Sequence, residues 1–102
     1  MGTISRVRAL RDFERQHLGF LKTMEDYNLV REIGYHQAEG KPLTLKQLFL
    51  LDVGSVATVQ RRLRRLRQLG VVQQHRSKVD GRAVEFTLAP KALKLLERSC
   101  AV

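Results

Sequence analysis

The stretch that most constrains this chain is Ser55–Gly70. Val56, Val59, Leu63, Leu66 and Gly70 recur at the i, i+3, i+4 spacing of a helix with one thin apolar stripe. At about 100° per residue, Arg61 and Gln68 point directly away from that stripe. Ala57, Thr58, Arg64 and Arg65 point mostly outward, and Arg62 and Arg67 flank the stripe. The sixteen residues hold five arginines and no acid. A helix that needed only solvation would mix signs and use i, i+4 ion pairs. A face of one sign is suited to a polyphosphate.

The rest of the chain shows how local that charge is. The formal net charge is +9 over 102 residues. Residues 1–54 carry eight basic and seven acidic side chains, and residues 83–102 carry three and two. Residues 55–82 carry eight basic side chains against Asp80 alone. A patch of this kind points to nucleic acid. The length suits one domain with a short extension, whose small core would gain from dimerisation. The single cysteine, Cys100, has no internal disulfide partner and reads as an incidental tail thiol. No apolar run approaches membrane-spanning length, and no signal-peptide order opens the chain. The expectation is a cytoplasmic, nucleoid-associated protein of a prokaryote, with no membrane partner.

Taken in order, Thr3 or Ser5 is placed to cap a first helix running to about His17. Its stripe is Ile4, Val7, Leu10 and Phe13, extended by Leu18 and Leu21. A second helix is expected over about 21–39, with Met24, Leu29, Val30 and Ile33 inward and Tyr27 at the margin. Gly34 in its middle implies close approach of another helix, and Gly40 suits the position just past its end. Thr44 and Gln47 spell a capping box for a short third helix over 45–51. Asp52-Val53-Gly54 is a tight turn, and Ser55 caps the arginine helix. After Gly70 the pattern alternates. Residues 71–76 and 82–88 read as two strands around a turn at 77–81, with Val84, Phe86 and Leu88 on one face. Pro90 opens a last helix with Ala92, Leu93 and Leu96 inward, and residues 99–102 form a frayed tail.

No catalytic constellation, metal-ligand spacing or phosphate loop is present in the sequence, so no enzyme, metal or cofactor is expected. His17, His36 and His75 lie on separate elements and read as surface or boundary residues. His75 is the one placed to touch a phosphate. Instead of a catalytic site the chain offers two helices joined by a tight turn, then a basic-tipped hairpin. The second helix fits the width of the major groove, and Arg76, Lys78 and Arg82 lie at the hairpin tip. Phe13, Phe20, Phe49 and Phe86 all fall on core patterns, which leaves few aromatics for stacking RNA bases.

The motif Ser55-x-x-Thr58-Val59-x-Arg61-x-Leu63-x-x-Leu66-x-x-Leu69-Gly70-Val71-Val72 resembles the recognition helix and strand entry of winged helix-turn-helix regulators. Asp80-Gly81-Arg82 is similar to the Asp-x-Arg wing of MarR-type repressors. The likeness covers about residues 24–98. It implies a mainly α fold with a small β-hairpin wing, α+β in class. It also implies that Asp80 steadies the wing and that Arg82 enters the minor groove. Early recognition-helix positions approach bases, so Val56, Ala57, Gln60 and Arg61 are the base-edge candidates. Gln60 suits adenine and Arg61 guanine. Ser55, Thr58, Arg64 and Arg65 are backbone candidates, while Arg62 and Arg67 are placed to pair with Glu25, Asp26 or Glu32.

The expected function is a sequence-specific double-stranded DNA-binding transcriptional regulator, a repressor acting as a homodimer. Residues 1–20 would be an N-terminal helical extension serving dimerisation, 21–98 the DNA-binding domain and 99–102 the tail. A plasmid or phage replication, partition or mobile-element factor would use the same readout. A winged-helix RNA-binding or protein-interaction module is the reading from another class. A small-molecule effector is open, but no residue set names one.

Overall fold

The computed structural model describes residues 2–19, 21–79 and 81–101. Five helices and a three-stranded antiparallel sheet are formed in the order α1 (Gly2–His17), α2 (Met24–Ala38), β1 (Leu43–Thr44), α3 (Leu45–Leu50), α4 (Val56–Gln68), β2 (Val72–Arg76), β3 (Val84–Leu88) and α5 (Pro90–Ala101). The strands lie in the order β1-β3-β2. The expected hairpin is present, with Val72 opposite Leu88 and Arg76 opposite Val84. β1 was not expected. It is two residues long, too short for any alternation to show, and it sets Leu43 opposite Phe86.

The core is a layer of apolar side chains between α2, α3, α4 and the sheet. Leu29, Val30 and Ile33 of α2 meet Leu48 of α3, Val59, Leu63 and Leu66 of α4, and Phe86 and Leu88 of β3. Phe13 and Phe49 pack half-buried against this layer; Phe20 lies outside the described residues. Gly34 is buried because α5 and β3 close on it. A Cβ there would stand 2.8 Å from Leu96 Cδ2 and 3.0 Å from Leu88 Cδ1. The close approach read from the sequence is therefore to a helix and a strand together. α2 is also tied to the sheet by Leu88 N–H, which donates to Gln37 Oε1 at 2.8 Å.

Three local expectations are corrected. Met24 is exposed. The helix begins at that residue, and Thr23 caps it by accepting from Asp26 N–H at 3.1 Å. Thr3 and Ser5 lie inside α1, which already begins at Gly2. The frayed tail is helical through Ala101. The α1 stripe is divided along its length. Leu10 and Phe13 are half-buried while Ile4 is 83% and Val7 53% exposed. α1 packs chiefly on α5, where the Arg98 guanidinium lies 5.4 Å from the Phe13 ring centroid.

Candidate nucleic-acid interface

The interface candidates sit on an exposed helix, a turn and a hairpin. Their placement begins at Thr44. Its hydroxyl accepts from Gln47 N–H at 3.3 Å, and Gln47 Oε1 accepts from Thr44 N–H at 2.9 Å. This reciprocal pair satisfies two orphan donors and starts α3 with no slack. The chain then turns through Asp52, whose φ of 57° is the left-handed conformation that a short polar side chain tolerates. Ser55 caps α4, its Oγ accepting from Thr58 N–H at 3.2 Å. The same hydroxyl donates to Thr58 Oγ1 at 3.0 Å. The two backbone candidates at the start of the helix are thus linked to each other.

The far end of α4 closes in a Schellman motif. Gly70 N–H donates to Arg67 O at 3.0 Å and Val71 N–H to Leu66 O at 2.9 Å, with Gly70 at φ +75°. A Cβ is disfavoured in that conformation, so Gly70 turns the chain directly from helix to strand.

Between these ends the apolar stripe is Val59, Leu63 and Leu66, all buried. Val56 does not extend it. At 52% exposure it lies with Ala57, Gln60 and Arg61 on the open face. Arg64, Arg67 and Gln68 are exposed further along the helix. Among the described residues no carboxylate pairs with Arg61, Arg64 or Arg67. Arg61, Arg64 and Arg67 therefore stand exposed and unpaired among the described residues, while Arg62 is half-buried.

Arg65 departs from expectation. Its Nη1 donates to Asp26 Oδ2 at 3.0 Å, and Asp26 has no solvent exposure. The ion pair expected of Arg62 or Arg67 is made by Arg65 instead, because Arg65 turns its side chain towards the start of α2. The same carboxylate oxygen accepts from Lys22 N–H at 3.1 Å. Among the described residues, Oδ1 of Asp26 and Nε of Arg62 are buried without a hydrogen-bond partner. The sequence held a signal for Asp26 that was missed: Thr23-x-x-Asp26 spells a helix start.

The hairpin presents Arg76, Lys78 and Arg82 on exposed positions. Arg76 Nη1 reaches across to Gly81 O at 3.4 Å. Ser77 N–H donates to Ala83 O at 2.9 Å, and Val79 N–H to Ser77 Oγ at 3.2 Å. This local bonding presents Val79 at the tip, 99% exposed. Asp80 lies outside the described residues. Of the histidines, His17 stacks on Phe13 with centroids 4.6 Å apart, and His36 Nε2 lies 3.5 Å from Glu32 Oε2. His75 is exposed on β2. A mostly apolar cleft of about 490 Å³ opens between α1, α2 and α5, lined by Leu10, Gly34, Tyr35, Leu93 and Leu96.

No family model matches the chain, and no curated protein matches it. Solved structures do. The S. aureus MepR–DNA complex has a TM-score of 0.72 at 21% identity, over 93% of this chain and 76% of that one. A MepR variant bound to an oligodeoxyribonucleotide gives 0.72 at 20% identity, over 97% and 68%. A Lactococcus lactis ZitR variant gives 0.65 at 18% identity, over 78% of this chain and 51% of that one. A MepR variant from a clinical isolate is matched over 63% of its own length. The chain thus spans from half to three quarters of the length of these proteins. At such identities the likeness establishes the fold alone, a winged helix-turn-helix like that of MepR and ZitR, with α3 and α4 as the helix pair and β2–β3 as the wing.

Proposed function

We propose that this chain is a sequence-specific, duplex-DNA-binding transcriptional regulator, a repressor that acts as a homodimer. The observation that carries the reading is the outward face of α4. Val56, Ala57, Gln60, Arg61 and Arg64 are exposed on one capped helix. An exposed helix of this kind, with its N-terminal turns leading, is what a major groove accepts. Val56, Ala57, Gln60 and Arg61 then meet base edges, and Arg64 a phosphate. Ser55 and Thr58 offer their linked hydroxyls to the backbone beside the helix N-terminus. Arg76, Lys78 and Arg82 extend the positive surface along the duplex, with Arg82 in the adjacent minor groove and Asp80 steadying the wing. Arg65 is better assigned to holding the helix than to holding DNA, since its guanidinium is already engaged by Asp26.

The MepR structures solved with DNA support this reading by likeness of fold. Homodimerisation through residues 1–20 is supported by the exposed Ile4 and Val7 on α1, an apolar ridge that the domain itself leaves uncovered. Among the described residues no helix is long and apolar enough to cross a membrane. Action on a bacterial chromosome in the cytoplasm belongs to the same proposal.

Selection of genomic DNA fragments by the purified protein tests it. The expected result is one enriched motif with two-fold symmetry, bound about 10³-fold or more over random duplex. Enrichment without a motif would remove sequence specificity. Tighter binding to structured RNA than to duplex DNA of equal length would overturn the choice of nucleic acid.

A further inference from the structure

Beside the recognition face lies a second polar surface, of which the reading above uses Arg64 alone. Arg64, Arg67 and Gln68 on the C-terminal half of α4 face Gln73, Gln74 and His75 on β2 across an open groove. All six side chains are exposed, and no carboxylate lines the groove. β2 is an outer strand of the sheet, so one edge of its backbone has no neighbouring strand. The donors available are guanidinium, amide and imidazole, carried on two elements set side by side.

We propose that this groove holds a phosphodiester strand of the DNA, outside the base pairs met by the N-terminal turns of α4. The inference rests on the duplex-DNA reading and extends it. Length carries the argument first. Ala57 and Arg67 are ten residues apart, which is ~15 Å along a helix axis at ~1.5 Å per residue. The major groove is ~8.5 Å deep. With Ala57 at the base edges of a helix entering N-terminus first, Arg67 stands beyond the groove, at the level of the backbone. Chemistry carries it next. Arginine and glutamine donors serve phosphate and sugar oxygens without regard to sequence. An open channel without a buried polar side chain suits a passing polymer better than a small enclosed anion. Arg67, placed by sequence reasoning in an ion pair with α2, is thereby reassigned to DNA, and His75 joins it.

The contacts are independent of sequence, so a short duplex of arbitrary sequence is a sufficient probe. Binding is titrated against salt for the full chain and for Arg67→Gln, Gln73→Glu, Arg82→Gln and Lys94→Gln. Lys94 is exposed on α5, away from the groove, and serves as the control. Arg67→Gln is expected to flatten the plot of log affinity against log salt by ~0.9, the loss of one phosphate contact. Gln73→Glu, which sets a like charge beside the strand, is expected to weaken binding about tenfold at low salt. Lys94→Gln is expected to change neither. The groove is overturned, and the function reading kept, if Arg82→Gln flattens the slope while Arg67→Gln and Gln73→Glu behave as wild type. Absence of salt-dependent duplex binding by the wild-type chain overturns both. Thermal unfolding of each variant separates loss of contact from loss of fold.

Discussion

Arg65 Nη1 of α4 lies 3.0 Å from Asp26 Oδ2 at the start of α2, and the aspartate is wholly excluded from solvent. One side chain of the positive face is thus turned inward to fix the angle of the helix that carries the others. Breaking such a pair from one side leaves the other charge poorly compensated. Asp26→Ala is expected to destabilise the fold by about 3 kcal/mol, read from the urea unfolding midpoint. The double change Asp26→Leu with Arg65→Met should recover most of that loss. In DNA titrations Arg65→Ala should leave the salt slope nearly unchanged, whereas Arg64→Ala should flatten it by ~0.9.

At Gly34 the contacts are with apolar side chains. Leu96 Cδ2 and Leu88 Cδ1 already stand within 3.0 Å of where a Cβ would be. A methyl group meets the movable ends of two leucines and regains ~1 kcal/mol of helix propensity. A larger side chain must push aside Leu96 and the buried Leu88 before it can reach the cleft beside Gly34. Gly34→Leu is expected to cost about 3 kcal/mol by overpacking, with a lowered Tm and α5 the first element to lose amide protection.

Arg61 is the sharpest test of base reading. If it forms a bidentate pair with guanine, Arg61→Ala costs ~1–3 kcal/mol on the selected motif and much less on random duplex. Competition binding with both DNAs reads the difference directly. Equal losses would reassign Arg61 to the backbone.

Ile4 and Val7 test the dimer. Burying Ile4 and Val7 of both protomers, four side chains, contributes ~6 kcal/mol in all, which is about 10⁴-fold in a dissociation constant. Ile4→Glu with Val7→Glu is expected to yield a monomer in sedimentation at concentrations where the wild type is dimeric. Its Tm should stay close to that of the monomeric domain, since both positions are exposed in the single chain.

Much of this architecture was legible before the structure, and the reasons are local. The stripe Val59, Leu63, Leu66, the Thr44–Gln47 box, Ser55, Gly70 and Pro90 each specify their surroundings through neighbours a few residues away. β1 was invisible because two residues carry no period, and its pairing with Phe86 and Glu85 is set by tertiary contact. The ion pair with α2 was expected of Arg62 or Arg67 and not of Arg65 for a related reason. The partner of Arg65 lies 39 positions earlier, and a helical wheel tells an outward arginine from an inward one only when the neighbouring helix is known. Val56 fell on the buried stripe as well as among the base-edge candidates, and the structure leaves it 52% exposed.

Thr44 is at once the last residue of β1 and the cap of α3. A single residue thus joins the sheet to the first helix of the helix-turn-helix, with no spare chain between them. Hydrogen bonds inside the hairpin tip join Ser77 to Ala83, Val79 to Ser77 and Arg76 to Gly81. Lengthening or shortening the tip would leave the helix pair where it is, while one residue inserted at Thr44 would shift α3 against Phe86. The molecule therefore offers evolution a free end and a fixed joint. The reach of the wing can change while the angle at which α4 is presented stays the same.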